Sequence, residues 1–87
     1  LHLQPSPVTR LHRAIALRYT AGPQTALREL DDLAESLDRY HLYHAARADL
    51  ERELGRPDQA RAADQRALEL TANPAEQALL QQRILWS

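Results

Sequence analysis

Residues 40–74 read YHLYHAARADLERELGRPDQARAADQRALELTANP. A helical stretch runs into Leu54-Gly55-Arg56-Pro57, a second helical stretch follows, and Asn73-Pro74 ends it. Glycine readily takes the left-handed conformation that terminates a helix, and proline suits the first turn of the next, where its missing N–H is not needed. The small residues fall where two antiparallel helices need them to approach closely: Ala45 and Ala48 on the first, Ala60 and Ala67 on the second. One such hairpin cannot bury its own apolar face, so the stretch implies a neighbour of the same kind.

The neighbour emerges when the sequence is slid against itself. At an offset of 34, Arg13-Ala14 falls on Arg47-Ala48, Ala26 on Ala60 and Leu33 on Ala67, while Gly22 meets Gly55 one residue out of step. That period, with Gly55-Arg56-Pro57-Asp58-Gln59-Ala60 followed by Ala67-Leu68-Glu69-Leu70, resembles the tetratricopeptide repeat. The expected fold is all-α, with TPR-like antiparallel helical hairpins, two repeats and a C-terminal capping helix, about five helices in all. Residues 1–5 are expected to be a linker and 6–87 the repeat domain, with hairpins at 6–37 and 38–72 and the capping helix at 74–86. Solenoids need about three repeats to stand alone. Either the last helix caps the stack or an upstream domain or second copy covers an open face, and the isolated chain is expected to be able to form a homodimer.

The helix ends have local causes. Ser6-Pro7 pairs a capping hydroxyl with a proline at the first helical position, and that helix is expected to run to Thr20. After Ala21-Gly22-Pro23, residues 23–37 place Ala26, Leu27, Leu30, Leu33, Ala34 and Leu37 on one face of a single helix. Asp38 is expected to cap the next helix, ending at Leu54, and Pro57-Asp58 to open the alanine-rich fourth. Asn73-Pro74-Ala75-Glu76 has capping-box spacing, with Glu76 reaching back, and the last helix shows Ala75, Leu79 and Trp86 on one side.

Composition excludes several function classes. Eighty-seven residues make one small domain without cysteine, hence without a disulfide framework or thiolate site. Eleven basic residues against twelve acidic ones give a net charge of -1, so no bulk positive field attracts nucleic acid, and no direct nucleic-acid contact is expected. No apolar run has the length of a membrane span and no signal peptide is visible; the expected location is the cytoplasm. The chain begins at Leu1 rather than Met, as expected of a domain taken from a longer protein.

No Gly-rich phosphate loop, Gly-x-Ser-x-Gly elbow or His-Glu-x-x-His motif occurs, and neither enzymatic activity nor a cofactor is expected. His41 and His44 lie three apart on one helix, but zinc needs a third protein ligand, and neither His2 nor His12 is spaced to supply it; no metal is expected. Arg13 and Arg47 recur at the repeat period. Each either pairs with a carboxylate of the following helix, Glu29 or Asp32 for the first and Asp64 for the second, or points into the solenoid groove to hold an acidic segment. Tyr19, Tyr40 and Tyr43 are suited to plug the core edge or to anchor a partner.

Further motifs carry a more specific resemblance. Leu11-His12-Arg13-Ala14-Ile15-Ala16, Ala21-Gly22-Pro23, the Tyr-His-Leu-Tyr-His-Ala-Ala-Arg-Ala-Asp-Leu segment at 40–50, Leu54-Gly55-Arg56 and Asn73-Pro74-Ala75-Glu76 together resemble the C-terminal extension of a group of bacterial extracytoplasmic-function (ECF) sigma factors. Departures from that pattern are Ala21 in place of an acid, Glu51 where a second leucine is usual, and Asp64 in place of an aromatic. The resemblance implies a regulatory module that contacts its own sigma domains or RNA polymerase. The expected contact residues are Arg13, Tyr40, His41, His44, Arg47 and Asp49. The alternative is a stand-alone TPR module that binds an extended peptide.

Overall fold

A helix begins where a side chain accepts the first free amides and ends where the backbone can turn left-handed, and both devices recur along this chain. The computed structural model describes residues 6–86 and contains α1 (Pro7–Thr20), α2 (Pro23–Asp31), α3 (Ala34–Leu37), α4 (His41–Glu53), α5 (Pro57–Leu70) and α6 (Pro74–Trp86). The described residues form no strand. The expected linker 1–5, with His2, and the terminal Ser87 lie outside them. The all-α architecture is compatible with a helical repeat.

The 34-residue register is carried by burial. Ala14 and Ala48, Ala26 and Ala60, and Leu33 and Ala67 are all buried. Antiparallel pairs α1/α2 and α4/α5 stack so that α4 packs on α2 and touches α1, and α6 packs on α5. The first pair has a leucine core, in which Leu11, Leu27, Leu30, Leu33 and Leu37 meet Tyr43 and Leu50 from α4. The second pair closes on alanines alone, Ala48, Ala60 and Ala63. Fully burying a leucine contributes about 1.5–3 kcal/mol, so the two halves differ in apolar stabilisation.

Both glycines sit at the junctions inside the pairs with positive φ, 91° for Gly22 and 73° for Gly55. At Gly55 the amide donates to the Arg52 carbonyl (3.0 Å) and the Arg56 amide to the Glu51 carbonyl (2.9 Å), closing α4 with a Schellman motif. Ser6 caps α1 by accepting from the Thr9 amide at 3.2 Å.

Three expectations are corrected. The helix expected over 23–37 breaks at Asp32-Leu33 into α2 and α3, giving six helices rather than about five. At the break the Leu30 carbonyl accepts both the Leu33 amide (2.9 Å) and the Tyr43 hydroxyl (2.9 Å), while Leu30, Leu33 and Leu37 all stay buried. The apolar stripe is therefore continuous although the hydrogen-bond ladder is not. Asp38 keeps a helical backbone (φ -56°, ψ -30°) and does not cap α4; extended Tyr40 (φ -98°, ψ 112°) takes that position. Asn73 does cap α6, accepting from Ala75 at 2.9 Å and Glu76 at 3.2 Å, but Glu76 reaches the Thr71 hydroxyl (2.8 Å), which in turn accepts from the Asn73 amide. In α6 the buried residue is Leu80, and the side that carries Ala75, Leu79 and Trp86 is exposed.

Among the described residues no helix is long and apolar enough to cross a membrane. A Gly55→Ala substitution meets no atom within 4 Å and so isolates backbone strain. It is expected to destabilise the fold by about 1–2 kcal/mol in chemical denaturation.

Candidate functional site

Helix α4 lies between neighbours on both sides, and its two faces meet different surroundings. One side meets α1 and α6. Here Ile15, Asp49 and Arg83, which follow one another at the 34-residue period, line a groove of about 320 Å³ with Leu11, Leu42 and Ala45. It continues into a notch of about 150 Å³ between α4 and α6, where Leu42 and Leu79 expose apolar surface. The groove is thus built from the first helix of each pair together with α6.

The other side of α4 faces α2, α3 and α5 across an open cleft of about 590 Å³, lined among others by Tyr43, His44, Arg47, Glu51 and Arg66. Arg47 Nη1 donates to Asp31 at 2.7 Å and to the Tyr43 hydroxyl at 3.4 Å. Burial opposes its charge, but the hydrogen bond to Asp31 and the neighbouring negative groups outweigh it and raise its pKa. Burial likewise pushes the Tyr43 hydroxyl above its ordinary value, against the opposing pull of Arg47.

The six expected contact residues therefore separate. His41 and Asp49 face α6: His41 Nε2 lies 2.7 Å from Glu76 Oε2, and Asp49 accepts from Arg83 at 2.6 Å. His44 turns the other way, its Nε2 donating to the Asp38 carbonyl at 2.7 Å. Arg47 lies in the cleft. Tyr40 packs at the core edge with its ring edge-on to His41, and Arg13 is exposed without an ion pair to any described residue. Neither carboxylate expected for Arg13, Glu29 or Asp32, pairs with it. Tyr43 is core, and Tyr19 is exposed beneath the Arg18 guanidinium, 4.9 Å from its ring centre. No group of three or more potential ligands that could hold a metal occurs among the described residues.

The expected Arg47–Asp64 pair does not form. Asp64, with 0% exposure, is instead held by Arg52 of α4 and lies 3.1 Å from Arg83 of α6. Arg83 also donates to the Ala45 carbonyl at 3.4 Å, so one guanidinium ties α6 to both helices of the second pair. Arg83 and Leu42 were not singled out by motif. The signal available for Arg83 was positional, since it stands 34 residues after Asp49, the carboxylate it binds.

No protein-family model and no solved structure matches the chain. An uncharacterized protein of Rhizobium meliloti (strain 1021) is 42% identical over 82 residues, 94% of this chain. The chain spans 19% of the length of that relative.

Two predictions test this network. Asp64→Ala leaves two guanidiniums without their buried partner; because both reach partial solvent, the loss is expected near the low end for such pairs, about 3 kcal/mol by urea titration. Tyr43→Phe removes one bond to a carbonyl that retains the Leu33 amide, and is expected to cost about 1 kcal/mol at neutral pH. A hydroxyl pKa raised by folding stabilises the fold fully below the unfolded tyrosine value, about 10, and loses that contribution as pH rises through the folded value. Tyr43→Phe should accordingly flatten part of the alkaline fall in stability, measured by denaturation at stepped pH.

Proposed function

We propose that this chain is a non-catalytic protein-interaction domain of tetratricopeptide-like build, acting in the cytoplasm as the regulatory extension of an ECF-type sigma factor. The observation that carries the interaction reading is the groove along α1, α4 and α6. Its position-equivalent residues Ile15, Asp49 and Arg83 and its exposed Leu42 and Leu79 give an incoming segment an apolar floor beside polar anchors. The sigma-factor reading rests on the motif at 40–50, four of whose residues, Leu42, Ala45, Ala46 and Asp49, line that groove. The 42% identity to part of a longer protein agrees with a module that works within a larger chain.

In this reading the groove receives the protein's own sigma domains or RNA polymerase, and α4 transmits the contact. The test is promoter-dependent transcription by the complete sigma factor, compared with a form lacking residues 1–87 and with Leu79→Asp, an exposed change that spares the core. Deletion and Leu79→Asp are expected to shift transcription in the same direction, by about five-fold or more. Unchanged transcription in both overturns the sigma-factor reading and leaves the alternative, a peptide-binding adaptor using the same groove.

A further inference from the structure

Two carboxylates of the second helix pair are buried, and they are treated differently. Asp64 has Arg52 and Arg83. Glu51 keeps 6% side-chain exposure, yet its one ion-pair partner among the described residues is Arg56 at 3.5 Å, at the limit of a hydrogen bond. An ionised carboxylate accepts about four hydrogen bonds, and removing it from water without them is unfavourable. In the first pair the position 34 residues earlier is Leu17, which packs against the core. The second pair thus puts a charge where the first puts a hydrocarbon.

The surroundings of Glu51 show what would satisfy it. It lies on the wall of the 590 Å³ cleft, to whose lining Ala34, Ala62 and Ala63 contribute methyl groups. Of the charged side chains lining that cleft, Arg47 is engaged by Asp31, and Arg66 by Asp38 and Glu69 at 3.5 Å each. Three carboxylates, Asp31, Asp38 and Glu51, line the cleft with two guanidiniums, Arg47 and Arg66, and Arg56 pairs with Glu51 through Oε2 alone. Glu51 Oε1 accepts no hydrogen bond from a described residue, so this carboxylate has room for a further donor from the cleft.

We propose that this cleft binds the basic side chain of a partner segment, an arginine whose guanidinium pairs with Glu51 while its stem lies along Ala62 and Ala63. A planar guanidinium supplies two parallel donors to one carboxylate, and a hydrocarbon stem suits methyl-lined walls. The site goes beyond the groove reading and stands without it, since it lies on the opposite side of α4 and uses this chain alone.

The test is a titration of the full chain with N-acetyl-arginine amide, followed by proton–nitrogen correlation spectra, with N-acetyl-glutamate amide as the control. Saturable shifts are expected around residues 51, 59 and 62–63, with affinity falling about tenfold or more in Glu51→Gln. Ala62→Leu, a change at an exposed position that fills the cleft, should abolish them, and it decides the matter if Glu51→Gln perturbs the fold. Equal shifts in wild type and Ala62→Leu, no saturation, or equal response to the glutamate probe overturns the proposal. None of these outcomes depends on the transcription assay.

Discussion

The second helix pair depends on a carboxylate without water. Ala48, Ala60 and Ala63 let α4 and α5 approach closely, but methyl groups bury little area, and no leucine joins them in that cluster. At the centre of this thin core stands Asp64, fully buried and contacted by guanidiniums from α4 and α6. Desolvating it is costly, and the attraction offsets that cost only while both arginines keep their geometry. The same requirement helps fix α6, whose one buried residue is Leu80 and whose polar ties include Arg83 to Asp49 and Asp64, and Glu76 to His41 and Thr71. Apolar burial therefore defines the first pair, and charge pairing locates the last helix.

This division explains what could be read from the chain. Periodic small residues and glycines depend on local spacing, so the 34-residue register, the positive-φ turns and the caps at Ser6 and Asn73 were legible. The break at Asp32-Leu33 was not, because Leu30, Leu33 and Leu37 keep helical spacing across it and the hydroxyl that satisfies the freed carbonyl comes from Tyr43, in another helix. Ion-pair partners were illegible for a related reason. Arg47 and Asp64 are near enough in sequence to suggest a pair, but helix rotation points Arg47 at Asp31 and brings Arg52 to Asp64. Of the candidate site, α4 was recognised as its centre, while its division into two faces required the neighbouring helices.

The exposed face of α6 follows from the same register. Ala14 and Ala48 are buried beside the second helices of their own pairs, and their equivalent 34 residues further on is Gln82, which is exposed. Leu17 packs against the core and Glu51 is buried, but Leu85 in the corresponding place is 81% exposed and Trp86 beside it 86%. The helix α6 thus has the place of a first helix whose second helix is absent among the described residues. Its outward apolar surface is what the repeat geometry dictates at that position, rather than a failure of patterning.

Position-equivalent residues also show where the two pairs have diverged. Ile15 and Asp49 are equivalent, as are Leu17 and Glu51, and in both places the first pair has a hydrocarbon and the second a carboxylate. Asp49 serves the groove, where it holds Arg83; Glu51 serves the cleft, where Arg56 reaches one of its oxygens at 3.5 Å. A repeat that needed only stability would keep a hydrocarbon at both positions, since it requires no partner to be buried. Placing one acid on each face of α4 makes the second pair depend on cations supplied by neighbours. For Asp49 the neighbour is α6 of the same chain; for Glu51, Arg56 answers one oxygen and the open cleft leaves the other to another molecule.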